Sequence, residues 1–463
     1  MRKRLVLGSV ALLLLAAAGV ALALYLGGKR DVTTSSDEAY RMYKEALENE
    51  RRYYYQEAKD SFAKALALDP QFAEAMLGLA RLTDGEQGLA LIKRAAKEKA
   101  RLTEREQLHV DMDLATRQGK WDETVQIARR VHEKYPNDIR AATMLARREI
   151  QNGNSERAIA IFSELLAVEP NNAEAYNQIG YFYAYRGDYD RAIENLRKYQ
   201  FMAPDQANPY DSLGEIQAYS GHYDEAIENL NQALKRKPDF FHAYLTLGVA
   251  YMGKGEYTRA IEVLRKGAHE ASENEARREH IRQALRVAFV AGDVGVARQL
   301  IAEYQAIPGE RHPEVARLLT DAVLDLMEGR PAQAEKRLRD VQPKIRAAYA
   351  AETHGKEWDE SMDDPGTQFL LAQALVRQGK ADEAIAICEK MAAPRKVEDF
   401  AKRHWAFASR ALLAELVARQ GDLDRAEKLL AENRKWNPNW APTRSSEQVV
   451  AQLRREKVLE ASK

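Results

Sequence analysis

Two consecutive stretches, AEAYNQIGYFYAYRGDYDRAIENLRKYQFMAPDQ (173–206) and ANPYDSLGEIQAYSGHYDEAIENLNQALKRKPDF (207–240), decide the fold. Aligned without a gap, they share a glycine, a second glycine seven residues later, an alanine five beyond that and a proline twelve further on. The prolines recur at one constant spacing as Pro136, Pro170, Pro204 and Pro238. This period, about 34 residues, is the length of one two-helix repeat, so the sequence predicts an array of helical hairpins.

The other shared positions form columns, and each column has a packing role. Small residues let the two helices of a hairpin approach closely, and a glycine suits the turn between them, where φ is positive. Larger apolar residues fill the space between neighbouring hairpins. The columns are Met112, Ala146, Gly180 and Gly214 in the first helix; Gly119, Gly153, Gly187 and Gly221 at the turn; Thr124, Ala158, Ala192 and Ala226 in the second helix; and Ala128, Phe162, Leu196 and Leu230 one turn further on.

The same template extends in both directions and sets the expected domain organisation. A first unit begins near residue 39, and the last proline of the pattern is Pro438. We expect about seven regular units over 39–274, degenerate units over 275–440 with an insertion near 345–364, and a capping helix over 441–463. In such an array each unit is expected to contact only its neighbours.

The N-terminus carries an apolar segment that is predicted to anchor the chain in a membrane. Its core runs from Leu5 to Leu26, which is about 33 Å of helix and matches the thickness of a bilayer. We therefore expect a transmembrane signal-anchor over 1–28 and a linker over 29–38. Cleavage after Ala23 is the alternative, but the apolar run continues past that position. Basic residues 2–4 favour a cytoplasmic N-terminus and an extracytoplasmic, periplasmic array, although Lys29 and Arg30 on the other flank reduce the asymmetry.

Composition narrows the function classes. Lys and Arg together number 70, as do Asp and Glu, and this balance argues against a nucleic-acid partner. The single cysteine, Cys388, excludes an internal disulfide and a cysteine-based zinc site, and its column predicts a buried thiol. No histidine stands three to five residues from another, so no helical metal pair is expected. We predict no catalytic site, no cofactor and no small-molecule substrate.

Over residues 39–440 these columns resemble the repeats of bacterial tetratricopeptide-repeat (TPR) proteins. The resemblance implies an all-α solenoid of helical hairpins that winds into a right-handed superhelix. The segment Asp211–Glu215 also resembles arrays that follow bacterial serine/threonine kinase domains, but the chain has no phosphate-cradling glycine loop. An anchor followed by repeats is similar to the lipopolysaccharide-assembly regulator of Gram-negative bacteria. That family adds a zinc module with paired cysteines, which Cys388 alone does not supply.

The first helix of a TPR hairpin lines the concave side, so its residues at i, i+4, i+7 and i+8 are expected to project into a groove. Aromatic and apolar groups at the centre with charges around them are typical of a peptide-binding groove. The alternative is that every array has such a face and these tyrosines merely cover it. We expect the Tyr185/Tyr219 pair to anchor a partner. The candidate residues are Arg147, Asn177, Tyr181, Tyr185, Asp211, Glu215, Tyr219, Leu245, Val249 and Met252.

Two functions follow from this organisation. The first is a membrane-tethered interaction scaffold that binds a protein or peptide partner in its concave groove. The second is an extracytoplasmic chaperone or assembly factor for envelope or secreted proteins. A scaffold co-purifies with one stoichiometric partner, whereas a chaperone suppresses aggregation of many clients.

Overall fold

The computed structural model of the chain describes residues 30–352, 364–392 and 400–461. Within these ranges it contains 23 α-helices, one short 3-10 helix (Lys99–Arg101) and no strand. The predicted all-α fold is therefore confirmed. The predicted anchor over 1–28 and most of the predicted insertion lie outside the described residues. Among the helices that are described, none combines the length and the apolar character needed to cross a bilayer.

The chain divides into two compact units, the first ending at Met144 and the second beginning at Leu145. The helices of unit 1 are α1 (Asp37–Arg51), α2 (Tyr55–Leu68), α3 (Ala73–Arg81), α4 (Gly85–Lys97), α5 (Glu104–Arg117) and α6 (Trp121–Lys134). The division falls within α7 (Ile139–Gln151).

The remaining helices belong to unit 2. They are α8 (Ser155–Val168), α9 (Ala173–Tyr185), α10 (Tyr189–Met202), α11 (Asn208–Ser220), α12 (Tyr223–Arg236), α13 (Phe241–Lys254), α14 (Tyr257–Glu270), α15 (Asn274–Ala291), α16 (Val294–Ala306), α17 (Pro313–Met327), α18 (Pro331–Glu352), α19 (Pro365–Val376), α20 (Ala381–Ala392), α21 (Phe400–Arg419), α22 (Leu423–Trp436) and α23 (Ala441–Ala461). In the described ranges, α1 to α22 pair in sequence as hairpins 1 to 11, with an odd-numbered first helix and an even-numbered second helix. Helix α23 follows hairpin 11.

The small columns do the packing work that the sequence predicts. A Cβ atom built on Gly180 would lie 2.7 Å from Leu196 Cγ, and one on Gly214 would lie 2.7 Å from Leu230 Cγ. Both leucines are fully buried. The glycines therefore let the first helix rest directly on the second, since any larger side chain would push the two axes apart. Cys388 is fully buried in the same column as these leucines, as predicted.

The predicted turn column is confirmed by the backbone. Gly119, Gly153, Gly187 and Gly221 have φ angles of 72°, 81°, 80° and 87°. This left-handed region strains most other residues, which explains why glycine recurs at the turn of each of these repeats.

The described part of the predicted linker is bound to unit 1. Thr33 donates from its backbone N and its hydroxyl to the Glu106 carboxylate, at 2.6 and 2.7 Å. Thr34 and Ser35 donate from their hydroxyls to Asp69 Oδ2, at 2.7 and 3.0 Å. Helix α1 then begins at Asp37, with the Ser36 hydroxyl accepting from the backbone N of Ala39. Residues 33–36 are thus fixed on the repeats rather than free.

Unit 2 departs from the expected nearest-neighbour rule. Its residues 436–440, the sequence Trp-Asn-Pro-Asn-Trp from the last residue of α22 to the start of α23, contact the turns of hairpins 5 and 6. Two hydrogen bonds of this contact join positions that are 219 and 218 apart in the sequence. The expectation that every hairpin touches only its neighbours is therefore wrong for unit 2.

Candidate partner-binding surface

The predicted site residues lie on the first helices α7, α9, α11 and α13. The 34-residue period places them in columns, so that residues of one column occupy the same position on neighbouring helices. We call the surface formed by these columns the first-helix face. Its columns are Arg147, Tyr181, Glu215 and Val249; Asn177, Asp211 and Leu245; and Tyr185 and Tyr219, with Met252 in the last turn of α13.

Six of the ten predicted residues reach the surface. Arg147 is exposed, and the other five are partly exposed. A partner that approaches this face would meet aromatic and aliphatic side chains beside an arginine, a composition that is common at interface centres. The five partly exposed residues are Tyr181, Tyr185, Tyr219, Leu245 and Val249.

The other four predicted residues do not project into a groove as the helical spacing indicated. Asn177, Asp211, Glu215 and Met252 are 1, 3, 8 and 2% exposed. For Asp211 and Glu215 the reason is the next hairpin along the array, because His242 on α13 covers both carboxylates. These two acidic side chains therefore bind within the protein.

Asp211 and Glu215 belong to a polar cluster that spans three neighbouring hairpins. The His242 ring donates from Nδ1 to Asp211 Oδ2 at 2.7 Å, and its Nε2 lies 3.7 Å from Glu215 Oε1. From the other side, the Tyr181 hydroxyl donates to Glu215 Oε2 at 2.6 Å. The cluster holds α9, α11 and α13 in register.

The charges in this cluster follow from its geometry. The Asp211 carboxylate, opposed by burial and supported by Glu215, raises the pKa of His242 to about 10. His242 is therefore an imidazolium at neutral pH, and its side chain is 48% exposed. Burial, with the Glu215 and Asp211 charges, raises the pKa of Tyr181 well above its ordinary value, so that the phenol stays protonated and donates. The group that a partner meets here is the cationic edge of His242 rather than the carboxylates.

Arg286 on α15 makes a contact that the repeat pattern did not predict. Burial lowers the pKa of its guanidinium to about 10. The Arg286 guanidinium lies over the Trp405 ring of α21, 5.7 Å from its centroid. Arg286 and Trp405 thus link the first helices of hairpins 8 and 11. No column of the 34-residue repeat carries a signal for such a link, because the hairpins are not adjacent.

In unit 1, His109 is buried inside an ionic cluster. The ring is 6% exposed, with Nδ1 2.8 Å from Glu74 Oε1 and Nε2 2.8 Å from Asp138 Oδ2. Burial and the Arg140 charge oppose protonation, yet the two carboxylates raise the pKa of His109 above its usual value. Arg140 bridges Glu74 and Asp113 at 3.2 and 2.8 Å. Both ring nitrogens donate, so His109 is a structural imidazolium.

Within residues 30–352, 364–392 and 400–461, no group of three His, Cys, Asp or Glu side chains is arranged to hold a metal ion. The polar clusters of the described chain are ion-paired networks between helices.

Comparison with known proteins identifies the central repeats. The family model described as tetratricopeptide repeat matches residues 143–209 and 212–275. No curated protein sequence matches the chain.

Three of the solved structures that are similar to the chain are the following. A crystal structure of MamA is 25% identical, covering 34% of this chain and 93% of MamA with a TM-score of 0.30. The Cut9–Hcn1 hetero-tetramer of the APC/C is 14% identical, covering 89% of this chain and 76% of that chain with a TM-score of 0.44. Yeast Tom70 is 15% identical, covering 91% of this chain and 96% of Tom70 with a TM-score of 0.42. By the family match, hairpins 4 to 7 of this chain are tetratricopeptide repeats.

Proposed function

We propose that the chain is a protein-interaction scaffold that holds a protein or peptide partner on the first-helix face. The observation that carries the proposal is that the first-helix face keeps Tyr185, Leu245 and Val249 partly exposed and Arg147 exposed. Aromatic and aliphatic groups of this kind bind a partner at low entropy cost when the helices beneath them are fixed. The cluster around His242 supplies that fixed support.

The exposed and buried residues of the face have different roles in this proposal. Tyr185 and Val249 contact the partner, and Arg147 and His242 present two positive charges to it. Asp211 and Glu215 act through His242, which they hold in place and keep protonated. The face therefore favours a partner segment with an apolar anchor and acidic neighbours.

The scaffold is proposed to be tethered to a membrane through residues 5–26, with the repeats on the extracytoplasmic side. The apolar length of this segment and the basic residues 2–4 support the proposal. Thr33 is bound to Glu106 of unit 1. Since five residues span at most about 18 Å, an anchor that ends at residue 28 would keep Thr33 close to the bilayer surface.

Capture from detergent-solubilised membranes tests the function. We expect the tagged wild-type chain to retain one stoichiometric protein, and Tyr185→Ala/Val249→Ala to lose it. Tyr183→Ala is the matched control, because Tyr183 lies on the same helix but faces Arg191 of α10, 5.6 Å from its ring centroid. Retention by the double variant would place the site elsewhere. Capture of many proteins in substoichiometric amounts, together with suppression of their aggregation, would favour the chaperone function.

A further inference from the structure

The contact between residues 436–440 and the turns of hairpins 5 and 6 is built around a glycine and a tryptophan. A Cβ atom on Gly187 would lie 2.6 Å from Trp436 Cζ3. The Trp436 ring packs edge-on against Tyr189, with centroids 6.3 Å apart. The absence of a side chain at position 187 is therefore what lets the indole rest on this turn.

Side-chain amides complete the contact. Asn437 Nδ2 donates to the Ala218 carbonyl at 3.4 Å, and Asn439 Nδ2 donates to the Gly221 carbonyl at 3.1 Å. The Tyr223 hydroxyl donates to Asn437 Oδ1 at 3.2 Å. Asn437 is 3% exposed and Tyr223 is 6% exposed, so water is largely excluded.

The position of the contact relates it to the first-helix face. Gly187 and Gly221 lie in the turns that follow α9 and α11, and the candidate residues Tyr185 and Tyr219 each precede one of these glycines by two positions. Trp405, which lies under Arg286, is on α21 of the hairpin that leads into residues 436–440. Hairpin 11 and the residues that follow it thus meet hairpins 5 and 6 at their turns and hairpin 8 through Arg286.

We propose that residues 436–440 form a clasp that closes hairpins 5 to 11 into a loop, and that release of the clasp opens the first-helix face. Residues 436–440 contribute one indole on a glycine turn, three hydrogen bonds and the packing of Asn437 and Asn439 on Gly221, and α23 also contacts α13 beside them. When unit 2 opens, this contact separates while the hairpins stay folded. The idea that opening helps to capture a partner rests on the proposed function, whereas the opening itself does not depend on that function.

Two separate glycine substitutions test whether the clasp is closed in solution. Each is made in the full chain and measured in detergent. Gly187→Ala and Gly153→Ala carry the same backbone cost, since their φ angles are 80° and 81°. Only the methyl at 187 meets the clasp, because nothing lies within 4 Å of a Cβ at 153. We expect hydrogen exchange of the amides around 436–440 to become about tenfold faster or more in Gly187→Ala only. Equal exchange in the two variants would overturn the clasp.

Thiol labelling tests whether the clasp controls the face. Tyr185→Cys is labelled with a maleimide, with or without Trp436→Ala/Asn437→Ala, and the buried Cys388 in the same chain reports general unfolding. We expect the clasp substitutions to raise the labelling rate at 185 about fivefold or more while Cys388 stays protected.

A milder variant is used if the clasp substitutions also raise the labelling rate of Cys388, which would indicate general unfolding. Asn439→Ala removes only the hydrogen bond to Gly221 and is expected to give a smaller rise at position 185. An unchanged rate at 185 in that variant, with faster exchange around 436–440, would refute control of the face. Neither experiment uses a partner, so the result is independent of the proposed function.

Discussion

Gly180→Ala is the most direct test of how hairpin 5 is packed. The added Cβ would lie 2.7 Å from Leu196 Cγ, 2.9 Å from Leu196 Cδ2 and 3.3 Å from the Ala192 carbonyl oxygen. Carbon atoms in contact prefer separations of about 3.5–4.0 Å, so Leu196 must shift by roughly 1 Å. Leu196 and Ala192 are fully buried, and closely packed protein interiors resist such a shift.

Two effects of opposite sign set the magnitude. Alanine is favoured over glycine inside a helix by about 1 kcal/mol. Overpacking of a close contact costs about 1–3 kcal/mol. The expected result is a net destabilisation of up to about 2 kcal/mol, and a larger loss for Gly180→Leu or Ala192→Leu.

Gly295→Ala separates the two effects. Gly295 is also helical, and the nearest atom to a Cβ added there is Asp293 Oδ1 at 3.5 Å, an ordinary contact. It should therefore show the helix preference alone, a gain of up to about 1 kcal/mol. The measurement is the free energy of unfolding in denaturant, followed by circular dichroism. Equal stabilisation by both substitutions would refute the predicted register of the hairpin.

A double substitution strengthens the test. Leu196→Ala alone should cost about 2–5 kcal/mol, because it leaves a cavity beside Gly180. In the presence of Gly180→Ala the new methyl fills part of that cavity, so the two costs should not add. Because the clasp joins hairpin 5 to hairpin 11, the loss should also spread beyond adjacent hairpins. A nearest-neighbour array would instead melt locally.

Three further predictions concern charge and partner binding. Burial opposes ionisation of Glu74, but His109 lowers the pKa of Glu74 to about 2, and the pKa of Asp138 is also lowered. These two carboxylates therefore stabilise unit 1 above pH ~4 and lose that effect as pH falls. The pKa of His109 is raised, so His109 stabilises unit 1 fully below pH ~6.5 and loses that effect as pH rises through the raised pKa. The denaturation midpoint of unit 1 should therefore be highest between about pH 4.5 and 6.5. His109→Gln should remove the alkaline side of that profile, and an unchanged profile would contradict the assignment. Tyr185→Ala/Tyr219→Ala should weaken partner binding by about 2 kcal/mol or more in titration calorimetry, and wild-type affinity would exclude this pair.

The columns of the repeat could be predicted because each one answers a local requirement. Gly180 is small because Leu196 lies against it, and Gly187 is glycine because the turn needs a positive φ. Such requirements recur in every hairpin, so they produce a period that can be seen in a single sequence. The Tyr181–Glu215 hydrogen bond also joins equivalent positions of adjacent repeats, but the repeat pattern did not predict it.

The clasp and the Arg286 link could not be predicted in the same way. The distance between Trp436 and Gly187 depends on small rotations between successive hairpins, added over hairpins 5 to 11. No single column records that sum. Arg286 and Trp405 likewise lie outside the columns of the repeat, so the period does not indicate that they are in contact.

The burial of Asp211 shows how a repeat sequence can mislead about a binding face. A carboxylate at an inward position of a first helix is free for a partner only when the next hairpin brings no cation to it. Here the next hairpin supplies His242, three residues before Leu245, which is the equivalent of Asp211 in that repeat. The His242 ring covers the Asp211 carboxylate, with Nδ1 2.7 Å from Oδ2. Leu245 and Val249, by contrast, are apolar side chains that remain partly exposed. The residues left for a partner are therefore those that stay at the surface, and on this face they include Arg147, Tyr185 and Val249.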